Sequence, residues 1–329
     1  MGDIAENKPV PAAPIVPAPP VKKRPGRPKK KVASVNIPWL GIVQEPKHQD
    51  HLIELVYADP IMFKKILANF KSYDTSEIDI YFMRDRMIWI GRDHHQKATI
   101  NAVIDCRHMN FYYCGREIHI TAKCALLVRT FAHVDKTTFK ASLVVTESRK
   151  SILYIATHGA EYDERKKYCP DVVYKGEIQA PPALMSDEDY PLSFILGAKF
   201  FKKEIAIIRS MSKILVIDKV GESPMQLTYD KTSQMEYGSE LPSPEKMQLK
   251  SKIGPGEIFR ISAAIEYIKP FANSGAGDIV KISADWTRDL SMSTHVERKD
   301  DPGSIACVIK VFVAIRSYRP AAEPEEPAE

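Results

Sequence analysis

With 329 residues, 44 % of them hydrophobic, the chain is too long for one typical single-core domain and comfortable for two of about 100–150 residues each. Its longest apolar run, Ala306 to Ile315, is interrupted by Lys310 and falls short of the roughly 20 residues that cross a membrane; with no apolar signal core at the N-terminus, an intracellular protein is expected. The net charge of +5 is unevenly placed, residues 1–35 holding eight Lys and Arg against Asp3 and Glu6 while the last ten residues hold four Glu and no base.

A basic arm comes first, residues 1–44. Its first 35 residues are rich in Pro, Ala and Lys and contain no aromatic side chain. Such a segment buries too little apolar surface to offset its ordering entropy, so disorder is expected. Within KKRPGRPKKK, the residues Arg24, Gly26, Arg27, Pro28, Lys29 and Lys30 resemble an AT-hook, whose extended core inserts arginines into a narrow A·T minor groove. The usual arginine directly before the glycine is Pro25 here. A non-specific basic tail and a nuclear address are the competing readings.

Residues 45–158 read as strand, helix, strands, twice over. His51 to Ala58 alternates, and a helix follows with Phe63, Ile66, Leu67 and Phe70 at i, i+3, i+4 and i+7. SEIDIYF, RMIWIG and KATINAVI read as strands. EIHITA then leads into a helix carrying Leu127, Phe131 and Val134, followed by FKASLVV and SILYIAT. Residues 159–191, with four prolines and mixed charge, read as a connector loop.

From 192 to 319 the order recurs. PLSFILG precedes a helix with Phe201, Ile205 and Ile208 and the strands KILVID, MQLTYD and QMEYG. GEIFRI precedes a helix with Ala264, Ile265 and Ile268 and the strands DIVKIS, LSMSTHV and SIACVIKVFVAI. Residues 320–329 form an acidic tail, expected to be disordered. The fold class is α+β: two similar domains, each a duplicated strand–helix–strands unit, since one unit alone leaves a sheet face uncovered. Edge strands such as SILYIAT and those after Met225 are expected to stay open for a neighbouring copy.

The apolar stripes face the sheets, so the opposite helix faces meet other molecules. They offer Lys64, Lys65 and Lys71 on the first helix; Lys123, Arg129 and His133 on the second; Lys202, Lys203 and Arg209, with Lys213 just beyond, on the third; and Lys269, beside Glu266, on the fourth. Such a layer suits the phosphates of double-stranded DNA, because a point charge on a flexible stem fixes no register. No nucleotide-cradling, zinc-protease or serine-nucleophile motif appears. The five cysteines are odd in number and include no C-x-x-C pair. His94 and His95 point to opposite sides of any strand, and Asp187, Glu188 and Asp189 sit in a proline-rich linker. No catalytic residue, cofactor or metal is therefore expected.

The segments FKKILANFKSY, GEIFRISAAIEYIKPFANSGAGDIVKISADWTRDLSMSTHV and FVAIR (Phe312 to Arg316) resemble the first helix, last repeat and terminal strand of the proliferating cell nuclear antigen family of DNA clamps. The likeness covers about residues 50–320, and the tails and size look more like the divergent clamps of large DNA viruses. What the resemblance implies is a DNA clamp fold closing as a homotrimeric ring, with helices lining the hole, working as a non-enzymatic processivity factor. The implied partners are duplex DNA, a DNA polymerase and other replication and repair proteins bound through short peptide motifs, and a clamp loader. Replication sites, in a nucleus or a cytoplasmic viral factory, are the implied location. Partner peptides would dock under the connector near Val172, Val173, Leu184 and Met185, against Phe312 and Ala314, with Asp93 and Gln96 on the flanking wall. One departure is Arg92 before Asp93, where the family has an apolar or small residue; His94, His95, Gln96 and Lys97 follow, so this wall is polar. The rival readings are an AT-hook chromatin or transcription-associated protein with an α+β protein-interaction body, and a DNA-processing enzyme.

Overall fold

Alternating apolar residues and helical apolar stripes set the elements of the computed structural model, which describes residues 46–159, 165–186, 189–229, 238–240, 248–297 and 304–317. The arm residues Arg24, Gly26, Arg27, Pro28, Lys29 and Lys30, the acidic tail and most of QMEYG lie outside the described residues. The first half of the body runs β1 (His51–Tyr57), α1 (Ile61–Ser72), β2 (Glu77–Phe82), β3 (Arg86–Arg92), β4 (Ala98–Asp105), β5 (Phe111–Cys114), β6 (Ile118–Lys123), α2 (Cys124–Phe131), β7 (Lys140–Thr146), β8 (Tyr154–His158), β9 (Arg165–Tyr168) and β10 (Val172–Glu177). The second half runs β11 (Leu192–Gly197), α3 (Ala198–Met211), β12 (Ile214–Val220), β13 (Gln226–Tyr229), β14 (Gly238–Glu240), β15 (Lys250–Ser251), β16 (Ile258–Ala264), α4 (Ile265–Asn273), β17 (Ile279–Ala284), β18 (Asp289–Glu297) and β19 (Ile305–Ser317).

The duplication read from element order is written in the hydrogen bonding. β1 pairs with β5 and β7, as β11 pairs with β15 and β17. β2 pairs with β3 and β6, as β12 pairs with β13 and β16. β6 pairs with β10, and β16 with the end of β19. The halves join where β19 runs antiparallel to β4, from Cys307 opposite Ile104 to Val313 opposite Ala98.

Helices cover the sheets through the predicted stripes. Phe63, Ile66, Leu67 and Phe70 of α1 are buried, as are Phe201, Ile205 and Ile208 of α3. Each such side chain contributes about 1.5–3 kcal/mol on leaving water. Phe63 sits 5.8 Å from the Trp89 ring and 5.5 Å from Phe131. At the end of α1, the buried Tyr73 hydroxyl donates to the Tyr267 carbonyl of α4 at 2.7 Å, tying the two halves, and burial pushes its pKa up.

Two expectations need correction. SILYIAT is not an open edge, because β8 lies between β7 and β9. Nor is 159–191 loop throughout: β9 and β10 occupy its first part, and the described connector is confined to 178–186 and 189–191. Together β9 and β10 do what β19 does alone, one pairing with β8 and the other with β6, but the chain breaks at Cys169-Pro170-Asp171 between them. Proline has no N–H to give the ladder. Val172 alone of β10 is fully buried, so its alternation is faint in the sequence.

Candidate nucleic-acid interface and partner groove

Packing of α2 on α1, α1 on α4 and α4 on α3 sets the four helices in one row. Facing outward, Lys71, Arg129, Lys202, Lys203 and Arg209 are exposed, as is Lys213 just past α3, while Lys65 and Lys269 are half-buried. A further base, Lys199, stands exposed three residues before Lys202; that i, i+3 spacing is its signal in the sequence. Of the two acids on these helices, Glu204 is buried and Glu266 exposed. A crevice of about 1070 Å³ between α1, α4 and the ends of α3 and β19 brings together Lys97, Arg209, Lys213 and Lys269.

Three of the predicted phosphate-binding residues have other partners or another face, Lys64 and Lys123 being exposed and His133 half-buried. Lys64 donates from Nζ to the carbonyls of Ala132 at 2.9 Å and Val134 at 2.5 Å, closing the C-terminal end of α2, where backbone carbonyls lack helical partners. Lys123 is the last residue of β6 and the N-cap of α2. Strand alternation sets it with His119 and Thr121, away from the core-facing Ile118 and Ile120. His133 shares hydrogen bonds with Thr157 Oγ1 at 2.7 Å and the Tyr168 hydroxyl at 3.1 Å. Burial, then the charges of Lys166 and Lys64, lower its pKa and disfavour its charged form.

On the opposite, outward face of the long sheet, the β3–β4 turn is shaped by Asp93. Its carboxylate accepts from the backbone N–H of Ala98 at 2.6 Å and of His95 at 3.0 Å, and Gln96 adopts a left-handed φ of 55°. Asp93, buried, thus holds the turn through both of its carboxylate oxygens. A groove of about 640 Å³ opens beside it, floored by Asp79, Ile90 and Asn101, flanked by Arg92 and Gln96, and covered by Pro182 and Met185 of the connector. Gly91 lets this part of β3 sit on α1: a Cβ there would lie 2.7 Å from Thr75 Cγ2 and 2.8 Å from Phe70 Cδ1. Met185 is 40 % exposed and Leu184 half-buried. Phe312 is buried opposite Thr99, a groove residue, whereas the exposed Ala314 lines the helix-side crevice. Val172 and Val173 belong to β10 instead of the connector, Val172 buried against β6 and Val173 53 % exposed.

No family model matches the sequence. An uncharacterized protein of African swine fever virus is 23 % identical over 287 residues, spanning 84 % of this chain and 94 % of that one, in the isolates Tick/Malawi/Lil 20-1/1983 and Pig/Kenya/KEN-50/1950 alike. Among solved structures, the proliferating cellular nuclear antigen of Entamoeba histolytica superposes with a TM-score of 0.64 at 16 % identity, covering 81 % of this chain and 99 % of that one. PCNA of Thermococcus kodakaraensis gives 0.64 at 12 % identity over 80 % and 100 %. A PCNA2–PCNA3 complex from Sulfolobus tokodaii gives 0.63 at 14 % over 80 % and 99 %. The chain has the sliding-clamp fold of proliferating cell nuclear antigens. In this clamp fold the expected docking residues separate into two places: Asp93, Gln96 and Met185 gather at the connector groove, while Val172 and Val173 lie on β10, the last described strand of its sheet. Among the described residues no helix of the clamp fold is long and apolar enough to cross a membrane.

Proposed function

We propose that the chain is a subunit of a DNA sliding clamp: three copies close head to tail around duplex DNA and tether a polymerase and other replication proteins to it. The helix row carries this reading. Its four helices hold nine Lys and Arg against Glu204 and Glu266, on a fold shared with proliferating cell nuclear antigens. Clustered mobile charge binds phosphates without reading bases, as a sliding protein requires.

Ring closure has a candidate contact in the long sheet, whose described strands end in β10 on one half and β14 on the other. Pairing β10 of one copy with β14 of the next satisfies both edges and closes without an open end. Arg116, Glu147, Lys150 and Glu177 form ion pairs beside β10 that would flank this contact. A clamp acts as a scaffold rather than an enzyme, at replication sites, and a loader would place it on closed DNA. The likeness to the African swine fever virus protein supports a viral clamp. The basic arm, through Arg24 and Arg27, would add affinity for A·T-rich duplex. The chromatin-reader alternative draws nothing from the structural likenesses, which are to clamps.

Sedimentation of the chain from residue 36 onward should give a trimer at micromolar concentration. That trimer should be retained on a duplex with both ends blocked and lost from one with an open end. A monomer, or equal release from both duplexes, rejects the reading.

A further inference from the structure

Resting on the reading of the connector groove as the partner site, we infer that it selects a peptide by a basic side chain, Lys or Arg, seated on Asp79, with a second hydrogen-bond donor on Asn101. Asn101 is 4 % exposed and lines the groove, yet its Oδ1 has no hydrogen-bond partner among the described residues. Its register neighbour on β19, Lys310, does not reach that oxygen. A buried acceptor left this way carries its desolvation cost unrelieved, and a ligand that brings a donor removes that cost.

Asp79 supplies the charge. Its side chain is 43 % exposed, and His119 Nε2 at 3.0 Å and the Thr121 hydroxyl at 2.6 Å both meet the same oxygen, Oδ1, fixing the carboxylate while leaving it capacity for further donors. Glu77, exposed two residues earlier on the same strand face, also lines the groove, but it stands opposite Lys123 of β6, so the charge argued here is that of Asp79. Among the described lining residues Arg92 is the one Lys or Arg, with Lys123 and Lys310 on neighbouring strands of the same face.

Geometry sets the spacing. Asp79 stands opposite Ile90 and Ile90 opposite Asn101, so the two acceptors lie two strand spacings apart, about 10 Å. Three residues of polyproline II chain span about 9 Å with both side chains on one face. The basic residue and the second donor therefore fall three positions apart. The stem of the basic residue packs on Ile90 and Met185, which supply apolar contact but no donor. An aliphatic or aromatic anchor in the same place would desolvate Asp79 and Asn101 without pairing either.

A random-peptide display library selected on the full-length protein tests this, with the enriched peptides measured by calorimetry against three variants. Enriched peptides should carry Lys or Arg with Gln, Asn, Ser or Thr three residues away. Asp79→Asn should weaken them roughly tenfold or more. Asn101→Leu should make substitution of the second donor residue inconsequential. Leu184→Ser with Met185→Ser should abolish binding. Peptides without a base that ignore Asp79→Asn but depend on the connector overturn the basic anchor and leave the docking reading standing. Peptides indifferent to both groove and connector variants overturn the docking reading itself.

Discussion

The two halves of the body share one pairing plan and finish it differently. In the second half the last strand, β19, is unbroken, pairs with β18 and β16, and lies against β4 of the first half. In the first half the same role is divided at Pro170 between β9 and β10, and β10 ends the long sheet with one partner strand among the described residues. The core fixes the shared plan, because every inward residue of both halves must be covered. What each half does with its final strand decides whether the sheet continues into the other half or ends, among the described strands, at β10.

The largest expected effect comes from breaking that difference directly. Val311 is fully buried on β19 opposite Ile100 of β4. Val311→Asp should cost more than about 4 kcal/mol, because a lone carboxylate is forced into the core where the halves meet. Val173→Asp, on the exposed side of β10, should leave monomer stability within about 0.5 kcal/mol while abolishing the trimer. Urea denaturation and sedimentation together read both. If Val173→Asp still sediments as a trimer, the ring closes through some strand other than β10.

The helices diverge in the same way. α3 offers Lys199, Lys202, Lys203 and Arg209, while α2 offers Arg129 beside Leu126, which is 37 % exposed. On DNA with blocked ends, Lys202→Ala, Lys203→Ala and Arg209→Ala together should flatten the log–log salt dependence by roughly 0.9 for each phosphate no longer neutralised. Arg129→Ala should change it by no more than one phosphate's share. Equal slopes for the two variants would mean that α3 does not face the phosphates.

Lys64 sharpens the point at smaller scale. It sits exposed on the helix face that the spacing predicts, yet its ammonium donates to the Ala132 and Val134 carbonyls at the end of α2. Lys64→Ala should lower stability by about 1–2 kcal/mol, as for charge-assisted bonds at a helix end, with the salt slope unchanged. A flattened slope with an unchanged urea midpoint would return Lys64 to the DNA face.

These cases mark what the sequence carries and what it does not. The stripes of Phe63, Ile66, Leu67 and Phe70, and of Phe201, Ile205 and Ile208, are dictated by local spacing, so they place α1 and α3 directly. Strands buried on one face, such as β2 with Ile78, Ile80 and Phe82 inward, announce themselves by alternation. β10 hides because a half-exposed edge strand needs only one buried side chain, and Pro170 makes its approach look like loop. Site residues are harder still. Asp93 looks like a wall residue until its carboxylate is seen holding the β3–β4 turn, and Lys64 looks like a free cation until the end of α2 arrives 68 residues later in the chain. Tertiary partners decide both, and periodicity does not reach that far.

The smallest expected effect contrasts the outward faces of β1 and β11. On β11 the outward Ser193 meets Ser283 through a hydroxyl hydrogen bond of 3.1 Å, which carries no charge. On β1 the equivalent face holds Glu54, whose side chain is 3 % exposed and bound by Lys47 Nζ at 2.9 Å, by the Lys47 backbone N–H at 3.0 Å and by His51 Nδ1 at 2.9 Å. Burial pushes the Glu54 pKa up, but the hydrogen bonds from His51 and Lys47 and the Lys47 charge together outweigh it and hold the group below 4.5. A carboxyl depressed by folding stabilises the protein above its unfolded pKa, and that stability disappears as the pH falls through the folded value. Glu54→Gln imitates the protonated state. Its deficit in unfolding free energy, read from urea denaturation, should therefore be constant near neutrality, at roughly 0.5–1 kcal/mol, and should shrink below pH 4.5. Ser193→Ala should show a deficit that does not change across the same range. A Glu54→Gln deficit equally flat in acid would mean that the carboxylate is not held by these donors in solution.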